Sequence, residues 1–186
     1  MEKIRQNLNP FGINFDDLRK LLIYTNSFVS GSFVLKVIET TDTTWTPSDI
    51  DIYTSIEYFT IFENFLIDHG YNKLNEDKHY VIPEMLEHKL QKCITYIRND
   101  YKTQIITNDN KFILDPEKYV EKFDISICSN YFDGKFFHSL FPDDISNKKF
   151  SAKFVGPTMN HFDIRRINTY IERGYNLTNI KFVTVT

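Results

Sequence analysis

The sequence predicts an α+β protein in which a mixed β-sheet carries helices mainly on one of its faces. Apolar residues recur at helical spacing in residues 15–24 and 33–38, as the buried face of a helix requires. Carboxylates and isoleucines alternate from Asp49 to Ile52, which is the period of a half-buried strand. Because no repeat and no low-complexity linker interrupts the 186 residues, we expect a single domain over residues 1–186.

The composition excludes several classes of protein. The chain has 22 basic and 25 acidic residues and a net charge of −3, so nothing in its overall charge indicates a nucleic-acid or membrane-surface binder. Cys93 and Cys128 are too few for a disulfide scaffold, and we expect buried free thiols in a reducing compartment. The sequence begins without a signal peptide and has no run long and apolar enough to span a membrane. The expected location is therefore cytoplasmic or nuclear, without a membrane partner.

The first elements are predicted from caps and spacing. Asn14 precedes two acids and predicts the N-cap of a helix that extends to Tyr24. Residues 27–29 predict a short strand that leads into the turn Ser30-Gly31-Ser32. A second helix follows this turn and ends at Ile38.

Further elements follow the acidic strand. Residues 54–57 read Thr-Ser-Ile-Glu, which predicts a capping box, and the helix it begins ends at Gly70. The mixed stretch after Gly70 predicts only a short helix over residues 84–89. Residues 93–97 and 104–107 predict two paired strands.

The last third alternates short strands with one long helix. A brief helical turn is expected after Asp115, and Asp124 is expected to begin a strand. Residues 133–134 are Asp-Gly, which predicts a hairpin turn. Residues 158–173 predict a closing helix, and residues 180–185 predict either a last strand or an extended tail. The apolar stripe of the closing helix would consist of Ile164, Ile167 and Ile171.

The alternation places Asp49 and Asp51 on one face of their strand. Two carboxylates about 7 Å apart along the backbone repel each other, and they favour a compensating Mg²⁺ or Mn²⁺ ion. The turn at Gly31 offers backbone N–H groups that hold an anion such as phosphate. Together these features are typical of phosphoryl or nucleotidyl transfer. The alternative interpretation is a pair of solvated acids beside a purely structural turn.

These residues resemble the motifs of the polymerase-beta-like nucleotidyltransferase superfamily. Its members have an apolar residue, Gly, then Gly or Ser, a short helix and an Asp-x-Asp strand, here at residues 29–32 and 48–53. A third acid lies on a later strand, and Asp124 in Phe-Asp-Ile-Ser-Ile is the best match. The resemblance covers residues 16–129, and this chain departs from compact members by a longer loop at residues 39–45. Three acids compete less well for the third position because they lie in turn or helix-start contexts: Asp133, Asp143 and Asp144.

The resemblance implies a nucleotidyltransferase fold and a defined site. Asp49 and Asp51 would bridge two Mg²⁺ (or Mn²⁺) ions that hold a nucleoside triphosphate such as ATP. Asp124 would complete the metal site and help to deprotonate the acceptor hydroxyl, while Gly31 and Ser32 would bind the β- and γ-phosphates. A nucleoside monophosphate would pass to a hydroxyl on a protein, a small molecule or a nucleic-acid end, with release of pyrophosphate.

A second hypothesis is a catalytically silent module of the same fold that binds nucleotide or regulates a partner. Larger relatives grip the base and the acceptor with an additional helical domain, and minimal relatives borrow a partner subunit. Little of this chain remains after Ser129 for such a domain. The resemblance therefore implies a partner subunit or a homodimer, and pyrophosphate release would separate the two hypotheses.

Several basic and aromatic residues have two interpretations. Arg165, Arg166 and Arg173 form either a solvated basic face or a contact to triphosphate or acceptor. Residues 166–175 also resemble a tail of fungal and large-DNA-virus members of the superfamily. Trp45 either stacks on a base or holds its loop in place.

Overall fold

The computed structural model describes residues 2–40, 43–75, 90–108, 115–156 and 158–183. The short helix predicted over residues 84–89 lies outside these ranges, as do residues 184–185 of the predicted tail. Within the described ranges, no helix combines the length and the apolar character needed to cross a membrane.

The central element is a mixed sheet, as the sequence predicts. Its seven described strands are β1 (Phe28–Ser30), β2 (Asp49–Ser55), β3 (Asn72–Asn75), β4 (Leu90–Arg98), β5 (Tyr101–Asn108), β6 (Asn130–Phe132) and β7 (Phe137–Ser139). They are ordered β3-β4-β5-β2-β1-β6-β7. The β2–β5 pair is parallel and the other pairs are antiparallel. The strand with the two acids therefore lies inside the sheet, with β1 on one side and β5 on the other.

The helices cover the sheet mainly on one face. Their bounds are α1 (Glu2–Leu8), α2 (Phe15–Thr25), α3 (Ser32–Ile38), α4 (Phe59–Asp68), α5 (Pro116–Val120), α6 (Pro142–Ser146) and α7 (His161–Glu172). Apolar residues of α1 to α4 pack in one core with Val29, Ile50 and Ile52 of the sheet. On the opposite face, α5 packs its Tyr119 against Tyr53. The predicted α+β fold class is thus confirmed.

A second, two-stranded sheet lies beside α7 and was not predicted as a sheet. Its strands, β8 (Lys149–Val155) and β9 (Asn176–Val183), are parallel, and α7 lies between them in the chain. Their apolar side chains form a separate core with Ile125, Cys128 and Tyr170. The two parts of the molecule meet at the buried Glu39, whose carboxylate accepts hydrogen bonds from Lys148 and the Tyr175 hydroxyl. This contact ties the end of α3 to the second sheet.

Several local predictions are confirmed. The Asn14 side chain caps α2 by accepting hydrogen bonds from two backbone N–H groups. The β4–β5 pair forms, and its strands extend to a turn at residues 99–100. Asp115 caps the short helix α5, and the hairpin of β6 and β7 forms around Gly134, which has φ +88°.

The predicted capping box at residues 54–57 is wrong. Thr54 lies in β2, where its hydroxyl accepts a 2.8 Å hydrogen bond from Ser27. Pairing of β2 with β5 continues to Ser55, so Thr54 and Ser55 are both part of the β2–β5 ladder. A 3₁₀ turn then leads into α4, which begins at Phe59.

The predicted apolar stripe of α7 is only partly correct. Ile167 is buried, but Ile164 and Ile171 are 42% and 47% exposed. Tyr170 takes the second buried position, where its hydroxyl lies 2.8 Å from the Cys128 sulfur. The buried face of α7 therefore includes an aromatic residue, which the predicted stripe of isoleucines left out.

Candidate carboxylate site

Asp49 and Asp51 share one face of β2, as the alternation predicts. Both are partly exposed, whereas Ile50 and Ile52 on the other face are fully buried in the core of the helical face. Because β2 is paired on both sides, its backbone cannot shift to relieve the repulsion between the two carboxylates. The sheet therefore holds the acid pair in a fixed arrangement.

Asp51 carries the strongest electrostatic signature of the site. Its Oδ1 atom is buried and has no hydrogen-bond partner among the described residues. Burial, followed by the charge of Asp49, raises the pKa of Asp51 to about 8, while the positive charge of Arg166 opposes this rise. A buried carboxylate oxygen without a donor is costly, so Asp51 is a side chain that needs a proton or a cation.

The residues on β2 fit a divalent cation. Mg²⁺ is commonly bound by one or two carboxylates together with substrate phosphates, and Asp49 with the unpartnered Oδ1 of Asp51 offers such a donor set. Within the described part of the chain, no three His, Cys, Asp or Glu side chains are arranged to hold a metal ion. The two acids of β2 therefore fit a site that shares its cation with a phosphate ligand.

Gly31 lies against Asp51. It follows β1, precedes α3 and adopts φ +80°, a region that disfavours any residue with a Cβ. A Cβ at this position would lie only 3.1 Å from Oδ2 of Asp51. Ser30 is the ladder partner of Asp51, and Ser32 begins α3. The predicted turn therefore lies directly against the predicted acid.

The prediction that Asp124 begins a strand is wrong. Asp124 lies in a bend, and its carbonyl accepts a 2.8 Å hydrogen bond from the backbone of Lys153 in β8. Ile125 forms an isolated bridge with Ala152, and the chain then tightens into a 3₁₀ turn over residues 126–128. This segment is bound to the second sheet, so its apolar residues all enter that core.

Arg166 connects Asp124 to the acids of β2. Its Nη2 atom lies 2.9 Å from Oδ1 of Asp124, and the two side chains are 30% and 27% exposed. Burial raises the pKa of Asp124, and the charge of Arg166 opposes that rise just as it does for Asp51. One guanidinium of α7 therefore acts on carboxylates from both parts of the molecule.

The sequence did not distinguish Arg166 from its basic neighbours. Arg165, one position earlier, is exposed, and Arg173 packs its guanidinium 4.2 Å from the centre of the Trp45 ring. Lys36 lies over the same ring at 5.0 Å. These contacts favour the interpretation in which Trp45 holds its loop in place. Arg165 and Arg166 differ only in their position on α7, and Arg173 follows the last residue of that helix. The environment of each arginine is known only once the packing of α7 is known.

The competing acids occupy the contexts that the sequence predicts. Asp133 lies in the hairpin turn and accepts hydrogen bonds from the N–H groups of Lys135 and Phe136. Asp143 and Asp144 lie in the first turn of α6. The contexts predicted for these three acids are therefore confirmed.

No family model and no curated protein matches this chain. Among solved structures, a tRNA-processing enzyme in an apo form is similar over 92% of this chain and 44% of its own, with a TM-score of 0.54 and 10% identity. A tRNA nucleotidyltransferase with a primer tRNA and an incoming ATP analogue is similar over 89% and 46%, with a TM-score of 0.48 and 11% identity. The chain spans less than half the length of either structure.

The first of these similarities shows that the chain shares its fold with the tRNA-processing enzyme, in agreement with the mixed sheet. At this level of identity the similarity concerns the fold alone. It gives no support to the fungal or viral subgroup that residues 166–175 resemble.

Proposed function

We propose that this chain is a metal-dependent nucleotidyltransferase that moves a nucleoside monophosphate from a triphosphate to an acceptor hydroxyl and releases pyrophosphate. One observation supports this most strongly. The buried Oδ1 of Asp51 lacks a partner among the described residues, while Oδ2 of the same carboxylate lies next to the turn at Gly31, 3.1 Å from where a Cβ of that residue would be. A site built only for stability would pair or remove such a carboxylate.

Each residue has a distinct role in this proposal. Asp49 and Asp51 hold Mg²⁺ or Mn²⁺, which when bound supplies positive charge to the triphosphate and the leaving pyrophosphate. The backbone N–H groups of Gly31 and Ser32 donate to the β- and γ-phosphates. Asp124 completes the site and accepts the proton of the acceptor hydroxyl, since burial raises its pKa toward that of an effective base.

The chemical step is a displacement at the α-phosphorus. The acceptor oxygen forms a bond to this phosphorus while the bond to the bridging oxygen of the β-phosphate breaks. The hydroxyl proton passes to Asp124, and the negative charge leaves with pyrophosphate. The protein contributes positioning and charge neutralisation, which are the main sources of catalysis in such reactions.

A nucleic-acid 3′ end is the first acceptor to test. The solved structures similar to this chain are described as a tRNA-processing enzyme and as a tRNA nucleotidyltransferase with its primer tRNA. A protein or a small-molecule hydroxyl is the next choice, because the net charge of −3 offers no excess of basic residues for nucleic acid. We also propose a partner subunit or a second copy of the chain as a further binding partner.

The test is incubation with each α-³²P-labelled nucleoside triphosphate and Mg²⁺ or Mn²⁺, with RNA, with cell lysate and with the protein alone. We expect label transfer to an acceptor together with release of pyrophosphate, and loss of both in Asp51→Asn. Pyrophosphate release that survives in Asp51→Asn would contradict the assignment.

A silent nucleotide-binding module is the second candidate. The ion pair between Arg166 and Asp124 favours it, because this contact neutralises the third acid in the metal-free protein. Such a module would bind a triphosphate with metal and release no pyrophosphate with any acceptor. Nucleotide binding alone therefore does not separate the two candidate functions, whereas release of pyrophosphate does.

A further inference from the structure

Arg166 reaches the carboxylates from a different part of the molecule. It belongs to α7, whose buried residues Ile167 and Tyr170 pack in the core of the second sheet. Its guanidinium lies 2.9 Å from Asp124 and 5.7 Å from the centre of the Phe162 ring on the same helix. The ring supports the guanidinium from one side while the carboxylate holds it from another.

The charges of the site explain why this contact forms. The charge of Arg166 acts on Asp51 and on its ion-pair partner Asp124, and burial of both acids leaves these interactions incompletely screened by water. Arg166 is a permanent cation that offsets the negative charge of these two acids when no metal ion is bound. A divalent cation that binds the same acids meets a positive charge already in place.

We propose that Arg166 is a displaceable counter-ion, which pairs with Asp124 in the metal-free protein and leaves this carboxylate when a divalent cation binds. The inference rests on the metal site of the proposed function. It implies that Arg166 weakens metal binding in the absence of nucleotide. A nucleoside triphosphate restores the metal affinity, because the released guanidinium then lies beside an anion that it can bind. The metal and the nucleotide thus bind as a pair, and the bare metal binds weakly.

The test is a calorimetric titration of Mn²⁺ into the full chain without nucleotide. Arg166→Gln removes the competing cation, and we expect its Mn²⁺ affinity to be roughly tenfold higher than that of the parent, within the usual range of coupling between ligands. Arg165→Gln is the matched control, since it removes the same charge from the adjacent, exposed position. We expect it to change the affinity by less than about twofold.

Two results would overturn the inference: an Arg166→Gln affinity equal to or below that of Arg165→Gln, or no Mn²⁺ binding by either protein. If Arg166→Gln does not fold, the parent itself provides the test. The NMR signal of the Arg166 Nε–H should then shift on titration with Mg²⁺, while that of Arg165 stays in place; a stationary Arg166 signal contradicts displacement.

This experiment separates the inference from the proposed function. No nucleotide is present, so tighter Mn²⁺ binding by Arg166→Gln supports the counter-ion role even if the chain transfers no nucleotide. Conversely, normal nucleotidyl transfer by the parent, together with an unchanged Mn²⁺ affinity in Arg166→Gln, would support the proposed function and contradict the counter-ion role of Arg166.

Discussion

The two halves of the candidate site differ in whether their carboxylates have a cationic partner. The strand half consists of Gly31, Asp49 and Asp51, and the α7 half consists of Asp124 and Arg166. In the strand half, ladder bonds on both sides of β2 hold two carboxyl groups on one face, and one oxygen of Asp51 lacks a partner among the described residues. In the α7 half, an arginine neutralises the acid directly. The strand half therefore offers a cation a buried carboxyl group without a partner, and we propose that the α7 half holds the cation that a ligand displaces.

The largest expected effect tests the strand half. Asp49→Asn combined with Asp51→Asn should remove the stabilisation that Mg²⁺ and a nucleoside triphosphate give the parent, about 2.7 kcal/mol at a ligand concentration 100 times its Kd. Without ligand the double variant should melt at the parent's temperature or higher, because the buried acid that is costly to ionise beside Asp49 is gone. Thermal melts with and without Mg²⁺ and each triphosphate measure both effects.

The matched control for this variant is Asp143→Asn combined with Asp144→Asn, which neutralises two neighbouring acids at the start of α6. It should retain the full ligand-dependent shift. A double β2 variant that behaves like this control would leave the two acids as ordinary surface groups.

The pH dependence of stability sharpens the comparison. The pKa of Asp51, about 8 in the folded protein, lies above the ordinary value of 3.8 that applies when the chain is unfolded. Between these values the native protein keeps a proton that the unfolded chain has lost, so stability falls as pH rises. The slope from this group is at most about 1.4 kcal/mol per pH unit. Asp51→Asn should remove it.

Urea unfolding of the metal-free protein at intervals from pH 5 to pH 8 gives the slope. The exposed acid Asp17 supplies the control, and Asp17→Asn should keep the slope of the parent. If the parent and Asp51→Asn have parallel profiles, Asp51 is not the buried, unpaired group that the strand half requires.

The strand half could be predicted from the sequence because its determinants are local. Alternation alone puts Asp49 and Asp51 on one face, and a glycine between a strand and a helix marks the turn. Asp124 has the same local alternation, yet its segment pairs with Ala152 of β8 and then turns into a 3₁₀ helix. Its conformation depends on a strand some thirty residues later, and no local pattern specifies that partner.

The same reasoning applies to the predicted fold. Most helices and strands of the main sheet follow from spacing, caps and turn residues that lie within the element itself. The second sheet joins parallel strands across α7, so its existence depends on long-range packing. Arg166 could not be chosen over Arg165 because the two have the same charge and chemistry; only the orientation of α7 separates them.

A smaller effect tests how closely the turn approaches the acid. Gly31→Ala should cost about 1–3 kcal/mol, because its φ of +80° and ψ of −149° lie in a region that is essentially restricted to glycine, and it should also weaken triphosphate binding, because the new Cβ lies 3.1 Å from Oδ2 of Asp51. Gly174→Ala is the matched control, with φ +87° and no atom within 4 Å of a Cβ. Urea unfolding and nucleotide titration of both variants separate backbone strain from the contact. Equal nucleotide affinities in the two variants would leave Gly31 as a structural turn alone.

The smallest expected effect concerns Trp45, which links the loop before β2 to the α7 side of the molecule. Its ring lies 4.2 Å from the Arg173 guanidinium and 5.0 Å from the Lys36 amine, and each cation–π contact contributes about 0.5–1 kcal/mol. Trp45→Leu should therefore lower the free energy of unfolding by about 1 kcal/mol, and Arg173→Gln should lower it by a similar or smaller amount. Nucleotide affinity should stay within about twofold of the parent in both variants, because the cations already cover the ring.

A base stacked on Trp45 would instead contribute about 1–3 kcal/mol to binding. A loss of nucleotide affinity of that size in Trp45→Leu, but not in Arg173→Gln, would show that the ring contacts the nucleotide and that the loop belongs to the site.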